Sequence, residues 1–259
     1  MSDWELCDYE QDGGVVTIAI NRPDSMNSFT KDLRADLTAA LGRAGSDNTV
    51  RAVVLTGNGR AFSAGADLSA GFPTEQTIDQ QLHREYRPIF QEIMSMPKPV
   101  IAAINGAAAG IGMSVALICD LAVMSEKAFM LAPFTTISLV PDGGATFLLQ
   151  HHVGYKRAFQ LCVETERVDA ARCLEYGLVN KVVAPEAVLA DAQAWAQSLC
   201  ERAPLSLAAT KAAMREAQLG AWDTAFNVEA RLQKDLAGSD DNVEGVAAFF
   251  DKRAPVFKG

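Results

Sequence analysis

Hydrophobic positions near the start of the chain change between two spacings. Residues 15–20 (VVTIAI) and 50–56 (VRAVVLT) are short and β-branched, which predicts strands. Between them, apolar residues recur at intervals of three and four, which predicts a helix over residues 30–44. Thr30 is a good N-cap for it, because its side-chain oxygen can accept from a backbone N–H of the first turn. Strand, helix and strand in this order indicate an α/β core.

The same alternation continues to residue 124. Pro97 and Pro99 end a polar helix that is predicted over residues 78–96. The all-apolar run 100–104 (VIAAI) is typical of a strand buried on both faces. The elements that follow are a small-residue stretch at 107–112, an apolar helix at 113–119 and a strand at 120–124.

The second half of the chain is mostly helical. The predicted helices cover residues 143–151, 155–164, 169–176, 187–202, 204–219, 222–237 and 242–253, with a strand at 179–183. A loose unit of strand, turn and helix recurs at 53–65, 100–112 and 129–144. A run of helices after an α/β half predicts a helical layer that packs on the core or on another subunit.

Composition and charge narrow the class of protein. Of the 259 residues, 49% are hydrophobic and 21% are charged, which is typical of a globular protein with a large core. The net charge of −9 argues against nucleic-acid binding, which needs a basic surface, and against binding to an anionic membrane. A polyanionic small ligand is still compatible with a locally basic pocket.

Targeting and metal signals are weak in this sequence. The N-terminal residues lack the basic start and apolar run of a secretory signal, and no apolar stretch reaches the length of a membrane span. Five cysteines without a C-x-x-C motif indicate reduced thiols, so we expect a cytoplasmic protein. His83, His151 and His152 have no carboxylate or cysteine at metal-ligand spacing, so no metal site is expected.

Two segments of very small residues follow predicted strands, at 59–68 (GRAFSAGADL) and 105–112 (NGAAAGIG). Their backbone N–H groups can approach a ligand closely, and two converging amides would stabilise an oxyanion. A helix that starts near Ile111 would add its positive end. Tight packing of helix against strand also uses small residues. Either segment alone favours packing, and the two together favour a site.

Asp142 precedes a predicted helix in the segment 139–144 (LVPDGG). This placement is typical of an N-cap, and a helix N-terminus lowers the pKa of a carboxyl group. A general acid/base needs the opposite, a pKa raised by burial. The sequence leaves both interpretations of Asp142 open.

Along essentially its whole length the chain resembles the crotonase (enoyl-CoA hydratase/isomerase) superfamily. The matching segments, in family order, are 21–23 (NRP), 26–29 (MNSF), 59–68, 98–100 (KPV), 105–112, 119–120 (CD), 141–144 (PDGG), 175–179 (EYGLV) and the ending 244–255. The resemblance implies an α/β spiral of β-β-α units over residues 1–195. It also implies a helical region over 196–259 that forms a homotrimer or a dimer of trimers. The implied substrate is an acyl-CoA thioester, with no cofactor besides the coenzyme A of the substrate.

The resemblance further implies roles for single residues. The backbone amides of Ala66 and Ile111 would hold the oxyanion of an enolate, and Asp142 would carry the proton. Implied in substrate or coenzyme A binding are Met26, Ala64, Asp67, Leu68, Gly110, Phe134, Phe249 and Lys252, the last two at the nucleotide and often from a neighbouring subunit. A lysine beside a 3′-phosphate is electrostatically favourable.

Two departures from the family pattern bear on the reaction. Hydratases of this family add water with two glutamates, and Ser114 and Phe134 occupy those positions here. Asp142 matches the position of the one catalytic carboxylate of related isomerases. The resemblance therefore favours an isomerase that shifts a double bond by way of an enolate. Within the family, the chain looks most like the branch that isomerises the ring-epoxide of a phenylacetyl-CoA.

Other functions stay open. Hydration, dehalogenation and thioester hydrolysis are alternatives within the superfamily, and dehalogenation would need a histidine at the site, for which His83 is the candidate. A degenerate protein that only binds CoA esters is the non-enzymatic alternative, and the presence of Asp142 argues against it. RNA binding, as in an unusual branch, is disfavoured by the acidic charge.

Overall fold

The structure, a computed structural model, describes residues 4–71 and 73–257. In chain order its strands are β1 (Cys7–Asp12), β2 (Val15–Ile20), β3 (Ala52–Gly57), β4 (Ala61–Ser63), β5 (Val100–Ile104), β6 (Ala107–Ala109), β7 (Leu121–Ser125), β8 (Phe129–Leu131), β9 (Val168–Asp169) and β10 (Lys181–Val183). Within the described ranges they form a six-stranded sheet of order β1-β2-β3-β5-β7-β10 and a four-stranded sheet of order β4-β6-β8-β9.

The larger sheet is parallel except at one edge. β1 pairs antiparallel with β2, whereas β2, β3, β5, β7 and β10 run parallel to one another. All residues of β2, β3 and β5 are buried, which the all-apolar run 100–104 predicted for β5. The sequence prediction missed β1 because only Cys7 of that edge strand is buried, and its polar residues carry no strand pattern.

The smaller sheet explains the recurring unit in the sequence. β3 is followed by β4, β5 by β6 and β7 by β8, with the first strand of each pair in the larger sheet and the second in the smaller. These successive pairs wind the chain into a spiral. The predicted segments 53–65 and 100–112 do contain a strand of the larger sheet, but the turn in each leads to a second strand, β4 or β6, and not directly to a helix. The third begins at Leu121 rather than at residue 129, because the short strand β8 is the second of its pair.

Helices surround the sheets, mostly at the predicted positions. They are α1 (Lys31–Ser46), α2 (Ile78–Gln81), α3 (Arg87–Ser95), α4 (Ile111–Ile118), α5 (Ala145–Glu164), α6 (Ala170–Glu175), α7 (Val188–Cys200), α8 (Pro204–Leu236) and α9 (Asp240–Asp251). The Thr30 side chain accepts from the Leu33 N–H and so caps α1, as predicted. A π-helical turn, Leu82–Tyr86, lies between α2 and α3, in the region predicted as one regular helix.

Helix α8 differs most from the prediction. Two helices were expected, over residues 204–219 and 222–237, and the structure has one continuous helix. Gly220 lies between the two predicted helices, and a glycine inside a helix costs about 1 kcal/mol relative to alanine. Trp222 and Phe226 offset that cost, because both are buried and pack against Phe90 of α3.

The two faces of the larger sheet are covered differently. α7 packs on one face, where Val188, Ala192 and Ala196 contact the sheet, and the main core fills the other. The predicted division of the chain at residue 195, a position within α7, stays a prediction. Among the described helices, none has the length and hydropathy needed to cross a membrane.

Candidate active site

The carboxyl group of Asp142 is buried where α4, α5 and α8 meet. Gln233 Nε2, from α8, donates to Asp142 Oδ2 at 2.9 Å. Asp142 Oδ1 is buried and has no hydrogen-bond partner in the described part of the chain. Burial raises the pKa of Asp142 to about 7, and the hydrogen bond from Gln233 opposes this shift. The group therefore exchanges a proton near neutral pH, as a general acid/base requires.

Capping of α5, one of the two interpretations of Asp142, falls to another carboxylate. The N-cap position of α5 is Gly144, and the Asp142 side chain does not bond to the helix. Glu229 of α8 accepts instead from the Gly144 N–H at 2.6 Å, from the Thr146 N–H at 2.9 Å and from the Thr146 hydroxyl. These donors lie at the positive end of α5.

Glu229 is a second buried acid close to Asp142. Burial raises the pKa of Glu229 to about 8, the hydrogen bonds from Thr146 and Gly144 oppose this, and the charge of Asp142 adds to it. The sequence analysis missed Glu229 and Gln233. Gln233 lies 91 positions from Asp142, and helical spacing on α8 does not reveal which loop it faces.

The first turn of α4 holds the Asp142 loop from the other side. Ser114 Oγ donates to the backbone carbonyl of Asp142 at 2.9 Å. A Cβ on Gly143 would lie 2.9 Å from the Ser114 Cβ and 3.0 Å from the Ile111 side chain, so only glycine fits here. At this position, where the resemblance to hydratases expects a glutamate, Ser114 is a support for the loop.

The two small-residue segments pack against each other. A Cβ on Gly65 would lie 2.8 Å from the Ala109 carbonyl oxygen and 3.5 Å from the Ile111 nitrogen. Gly65 also has a φ of +95°, which glycine adopts without strain. Close packing thus accounts for these glycines. The same packing brings Ala66, the next residue, to the N-terminus of α4.

Two backbone amides at this junction lack an acceptor. Ile111 is the first residue of α4, so its N–H has no partner within the helix. The Phe29 N–H donates to the Gly65 carbonyl at 2.8 Å, and the Asp67 N–H donates to the Phe29 carbonyl at 3.2 Å. The amide of Ala66, between them, therefore points away from Phe29. Neither the Ala66 nor the Ile111 amide donates to an acceptor among the described residues.

A cavity of about 480 Å³ opens beside Ala66, whereas Ile111 is not part of its described lining. Ala66, Asp67 and Leu68 line one side of it, and Asp142 and Gln233 line another. Two predicted binding residues, Asp67 and Leu68, therefore share one cavity with the predicted oxyanion residue Ala66 and with the predicted acid, which is more than seventy positions further along the sequence.

Four other residues that were predicted to bind the substrate contact one another in pairs outside the described cavity lining. The Ala64 N–H donates to the Met26 carbonyl at 2.9 Å, and the Phe134 ring lies 3.9 Å from the position of a Cβ on Gly110. Phe134 is buried. These residues do not line the cavity wall within the described part of the chain.

Asp67 has its carboxylate bound by neighbours. It forms an ion pair with Arg22 at 3.0 Å and accepts from the Ser28 hydroxyl at 3.2 Å and from Ser69. Burial alone would raise the pKa of Asp67, but the hydrogen bonds from Ser69 and Arg22 lower it below its ordinary value. Asp67 is therefore a fixed anion that orders the 64–69 segment.

Phe249 and Lys252 lie on and just after α9, away from the cavity lining. Phe249 is 59% exposed, and Lys252 is exposed at the C-cap with a φ of +55°. Asn242 Nδ2 donates to the Ile137 carbonyl at 2.6 Å, which fixes α9 against the 3-10 helix Phe134–Ile137.

The far wall of the cavity is polar, which the sequence analysis did not anticipate. Arg34 Nε donates to Glu85 at 2.9 Å, and Arg34 Nη1 donates to the Tyr86 hydroxyl at 3.0 Å. Gln76 donates to the second oxygen of Glu85. Burial raises the pKa of Tyr86 to about 12, against the effect of Arg34. These residues come from α1, from the π-helical turn and from the segment before α2.

The histidines lie elsewhere. His83 packs against Phe226, with ring centroids 5.4 Å apart, and does not line the cavity. Within residues 4–71 and 73–257, no three His, Cys, Asp or Glu side chains are grouped closely enough to hold a metal ion.

A spiral of strand pairs, two neighbouring amides that donate to no acceptor in the described part of the chain, and a buried acid at a cavity are together typical of the crotonase class. Residues 10–259 match the family model described as enoyl-CoA hydratase/isomerase, and the chain belongs to this family. It is 38% identical to a probable enoyl-CoA hydratase of Rhodobacter capsulatus over 251 residues, covering 97% of both chains. It is 36% identical to the 1,2-epoxyphenylacetyl-CoA isomerase of Escherichia coli, covering 95% of both.

A solved structure agrees over nearly the whole chain. The crystal structure of an enoyl-CoA hydratase from Mycobacterium avium subsp. paratuberculosis superimposes with a TM-score of 0.90 at 36% identity, covering 99% of this chain and 100% of that one. The expected fold class is confirmed. The family model and these relatives support an enzyme of acyl-CoA thioesters, and the relatives include both a hydratase and an isomerase.

Proposed function

We propose that this protein is an acyl-CoA isomerase that moves a double bond by way of an enolate. The observation that carries the proposal is the Asp142 carboxyl group, which lines the cavity with a pKa raised to about 7 and one oxygen free of protein partners. A base of this strength is suited to taking up and returning a proton at neutral pH.

The proposed reaction uses one acid twice. The Asp142 carboxylate removes a proton from C2 of a 3-enoyl-CoA, and the electron pair of that C–H bond delocalises onto the thioester oxygen. The double bond between C3 and C4 becomes part of the resulting dienolate. The protonated Asp142 then returns the proton to C4 as the electrons flow back from the oxygen, which gives the 2-enoyl-CoA.

The amides of Ala66 and Ile111 are the proposed oxyanion donors. Neither amide donates to an acceptor in the ranges that the structure describes, and Ile111 adds the positive end of α4. A carboxylate is too weak a base for a proton beside a thioester without such help. One oxyanion donor is worth about 3–4 kcal/mol of barrier where it has been removed in other enzymes.

Ser114 and Phe134 argue for isomerisation over hydration. Adding water across a double bond needs one group to activate water and another to protonate carbon. Ser114 is buried and donates to the Asp142 loop, and Phe134 is buried and apolar. With neither position occupied by a carboxylate, return of the proton to the same substrate is favoured over addition of water.

The coenzyme A portion of the substrate is proposed to follow the 64–68 segment. Asp67 and Leu68 line the cavity, and the Ala64 N–H, outside the described lining, donates to the Met26 carbonyl. Phe249 and Lys252, which are remote from this cavity, are proposed to contact the coenzyme A nucleotide in a neighbouring subunit of a homotrimer or a dimer of trimers.

The test compares a 3-enoyl-CoA with a 2-enoyl-CoA, followed by the absorbance of the conjugated thioester. Wild-type protein is expected to convert the 3-enoyl ester and to leave the 2-enoyl ester unhydrated. Asp142→Asn is expected to lower kcat by at least about a thousandfold, because it removes the base. Asp235→Asn, an exposed aspartate on α8, is the matched control and should retain wild-type activity.

Two results would contradict the proposal. One is hydration of the 2-enoyl ester by wild-type protein, and the other is full isomerase activity of Asp142→Asn. The ring-epoxide ester of phenylacetyl-CoA belongs in the same assay, since the similarity to the E. coli isomerase makes it a candidate substrate.

A further inference from the structure

The side-chain amide of Gln233 lies between a backbone donor and the Asp142 carboxyl group. Gln233 is 2% exposed. Its Oε1 accepts from the Val140 N–H at 3.1 Å, and its Nε2 donates to Asp142 Oδ2 at 2.9 Å. Both ends of the amide are therefore bound to the same loop, two residues apart.

The backbone donor fixes the orientation of this amide. A backbone N–H can only donate, so the carbonyl oxygen of Gln233 has to face Val140. The amino group then has to face Asp142, and an amino group has hydrogens but no acceptor. Asp142 Oδ2 is consequently an acceptor whether the carboxyl group is charged or neutral.

The second oxygen of the carboxyl group is in a different position. Oδ1 is buried and has no partner among the described residues, and Asp142 lines the cavity. When the group is neutral, a proton on Oδ2 would oppose the hydrogens of Gln233, so the proton belongs on Oδ1. The two oxygens are thus chemically distinct before any substrate is bound.

We propose that Gln233 is a positioning residue that makes Asp142 a one-oxygen proton carrier, with Oδ2 held by the amide and Oδ1 left to take and return the substrate proton. The inference rests on the proposed isomerase function. It concerns the orientation and proton affinity of the acid rather than contact between Gln233 and the substrate.

Other groups face Asp142 but do not replace this contact. From the π-helical turn comes Tyr86, whose hydroxyl accepts from Arg34, and Arg34 is itself paired with Glu85 on the cavity wall. From α8 comes Glu229, whose oxygens are taken up by donors of α5.

From α4, Ser114 bonds to the backbone carbonyl of Asp142 rather than to its carboxyl group. The remaining charged residues of the cavity lining are Lys31, Asp67, Glu75 and Arg84. Among the described residues, Gln233 alone donates to the Asp142 carboxylate.

The test replaces Gln233 in two ways. Gln233→Leu removes both hydrogen bonds at similar volume. Gln233→Glu keeps an acceptor for the Val140 N–H but places an oxygen against Asp142, so it preserves the loop contact if the leucine variant unfolds. Arg231→Ala, at an exposed position on the same helical turn, is the matched control.

The first readout is the pH dependence of kcat/KM with a 3-enoyl-CoA. Loss of the donor destabilises the charged form of Asp142 and so raises its pKa. The acid limb of the pH profile should therefore move to higher pH by about one unit in Gln233→Leu. A larger move is expected in Gln233→Glu, where two carboxyl groups face each other. A purely structural role would lower activity at every pH and leave the position of the limb unchanged.

The second readout does not depend on activity. Infrared difference spectra between each protein and its Asp142→Asn partner report the titration of the Asp142 carboxyl group directly, and this titration should shift by the same amount. If wild type proves inactive on enoyl-CoA esters, the isomerase proposal fails while this titration still tests the role of Gln233. Unshifted titration in both folded variants, or an equal shift in Arg231→Ala, overturns the inference.

Discussion

At the scale of single residues, Asp142 shows how burial and hydrogen bonding compete. Its position before α5 suggests a capping carboxylate, and that role belongs to Glu229, which has three donors although burial raises its pKa to about 8. Asp142 has one donor and one free buried oxygen, so desolvation prevails and its pKa rises. Desolvation raises the pKa of both acids, and their surroundings assign them different tasks: donors of α5 bind the Glu229 oxygens, whereas Asp142 lines the cavity.

The raised pKa of Asp142 also predicts a change in stability with pH. The folded pKa of about 7 lies above the ordinary 3.8, so the folded protein binds this proton more tightly than the unfolded chain. That stabilising contribution is complete below about pH 4 and is lost as the pH rises through about 7. Above that range, the folded state holds a buried charge that Asp142→Asn does not carry.

We therefore expect Asp142→Asn to unfold at a higher temperature than wild type at pH 8. The difference should correspond to about 2–4 kcal/mol and should shrink at pH 5. Thermal unfolding followed by circular dichroism at both pH values measures it. If the difference in stability between Asp142→Asn and wild type is the same at both pH values, Asp142 keeps an ordinary pKa.

At the scale of elements, α8 is one continuous helix where the sequence predicted two, and it connects the core to the Asp142 loop. Its C-terminal half buries Trp222 and Phe226 in the core and delivers Glu229 and Gln233 to the Asp142 loop. These residues follow one another at intervals of three to four, so they share one face of the helix. A break at the glycine between the two predicted helices would separate this face from the first half of α8.

Alanine substitutions at two glycines, one inside α8 and one packed against it, should change the stability of the protein in opposite directions. Gly220 lies inside α8 and has open space around it, so Gly220→Ala should stabilise the protein by about 0.5–1 kcal/mol. Gly144 has a φ of +78°, and a Cβ there would lie 2.1 Å from Trp222 Nε1. Gly144→Ala should therefore destabilise the protein by at least about 2 kcal/mol.

Urea unfolding of both variants measures these changes in the free energy of unfolding. Because the substitution is the same in the two proteins, a difference in sign reports the local backbone and not alanine itself. A destabilised Gly220→Ala would indicate that α8 is bent or broken at this position.

At the scale of the whole molecule, exposed apolar residues lie on the helices that extend from the core. Leu205 is 84% exposed and Met214 is 65% exposed on the first half of α8, and Phe249 and Phe250 are more than half exposed on α9. Contact with another subunit would remove this apolar area from water. This surface supports the proposed homotrimer or dimer of trimers, with the C-terminal helices at the subunit contacts.

We expect light scattering at micromolar concentration to give the mass of a trimer or hexamer. The double variant Leu205→Lys with Met214→Lys should shift the protein to smaller species, since it places charges on the proposed interface. Asn48→Lys, at an exposed position on the loop after α1, is the control and should leave the mass unchanged. A monomeric wild type would remove the basis for contacts from a neighbouring subunit through Phe249 and Lys252.

The sequence by itself determined the elements whose pattern is local. The buried strands β2, β3 and β5 are short runs of mostly apolar residues, and α1 has both its spacing and its cap in the printed residues. Asp142 could also be selected from its segment. The edge strand β1 and the π-helical turn Leu82–Tyr86 could not be predicted, because their residues lack a local pattern.

Only the tertiary structure decided what Asp142 can do. Its proton affinity depends on burial among α4, α5 and α8, and its orientation depends on Gln233, which is 91 positions away. The meeting of the Ala66 and Ile111 regions likewise depends on the packing of Gly65 against Ala109. Periodicity records which face of an element is buried, but desolvation and hydrogen bonding arise from partners that the spiral brings together from distant segments.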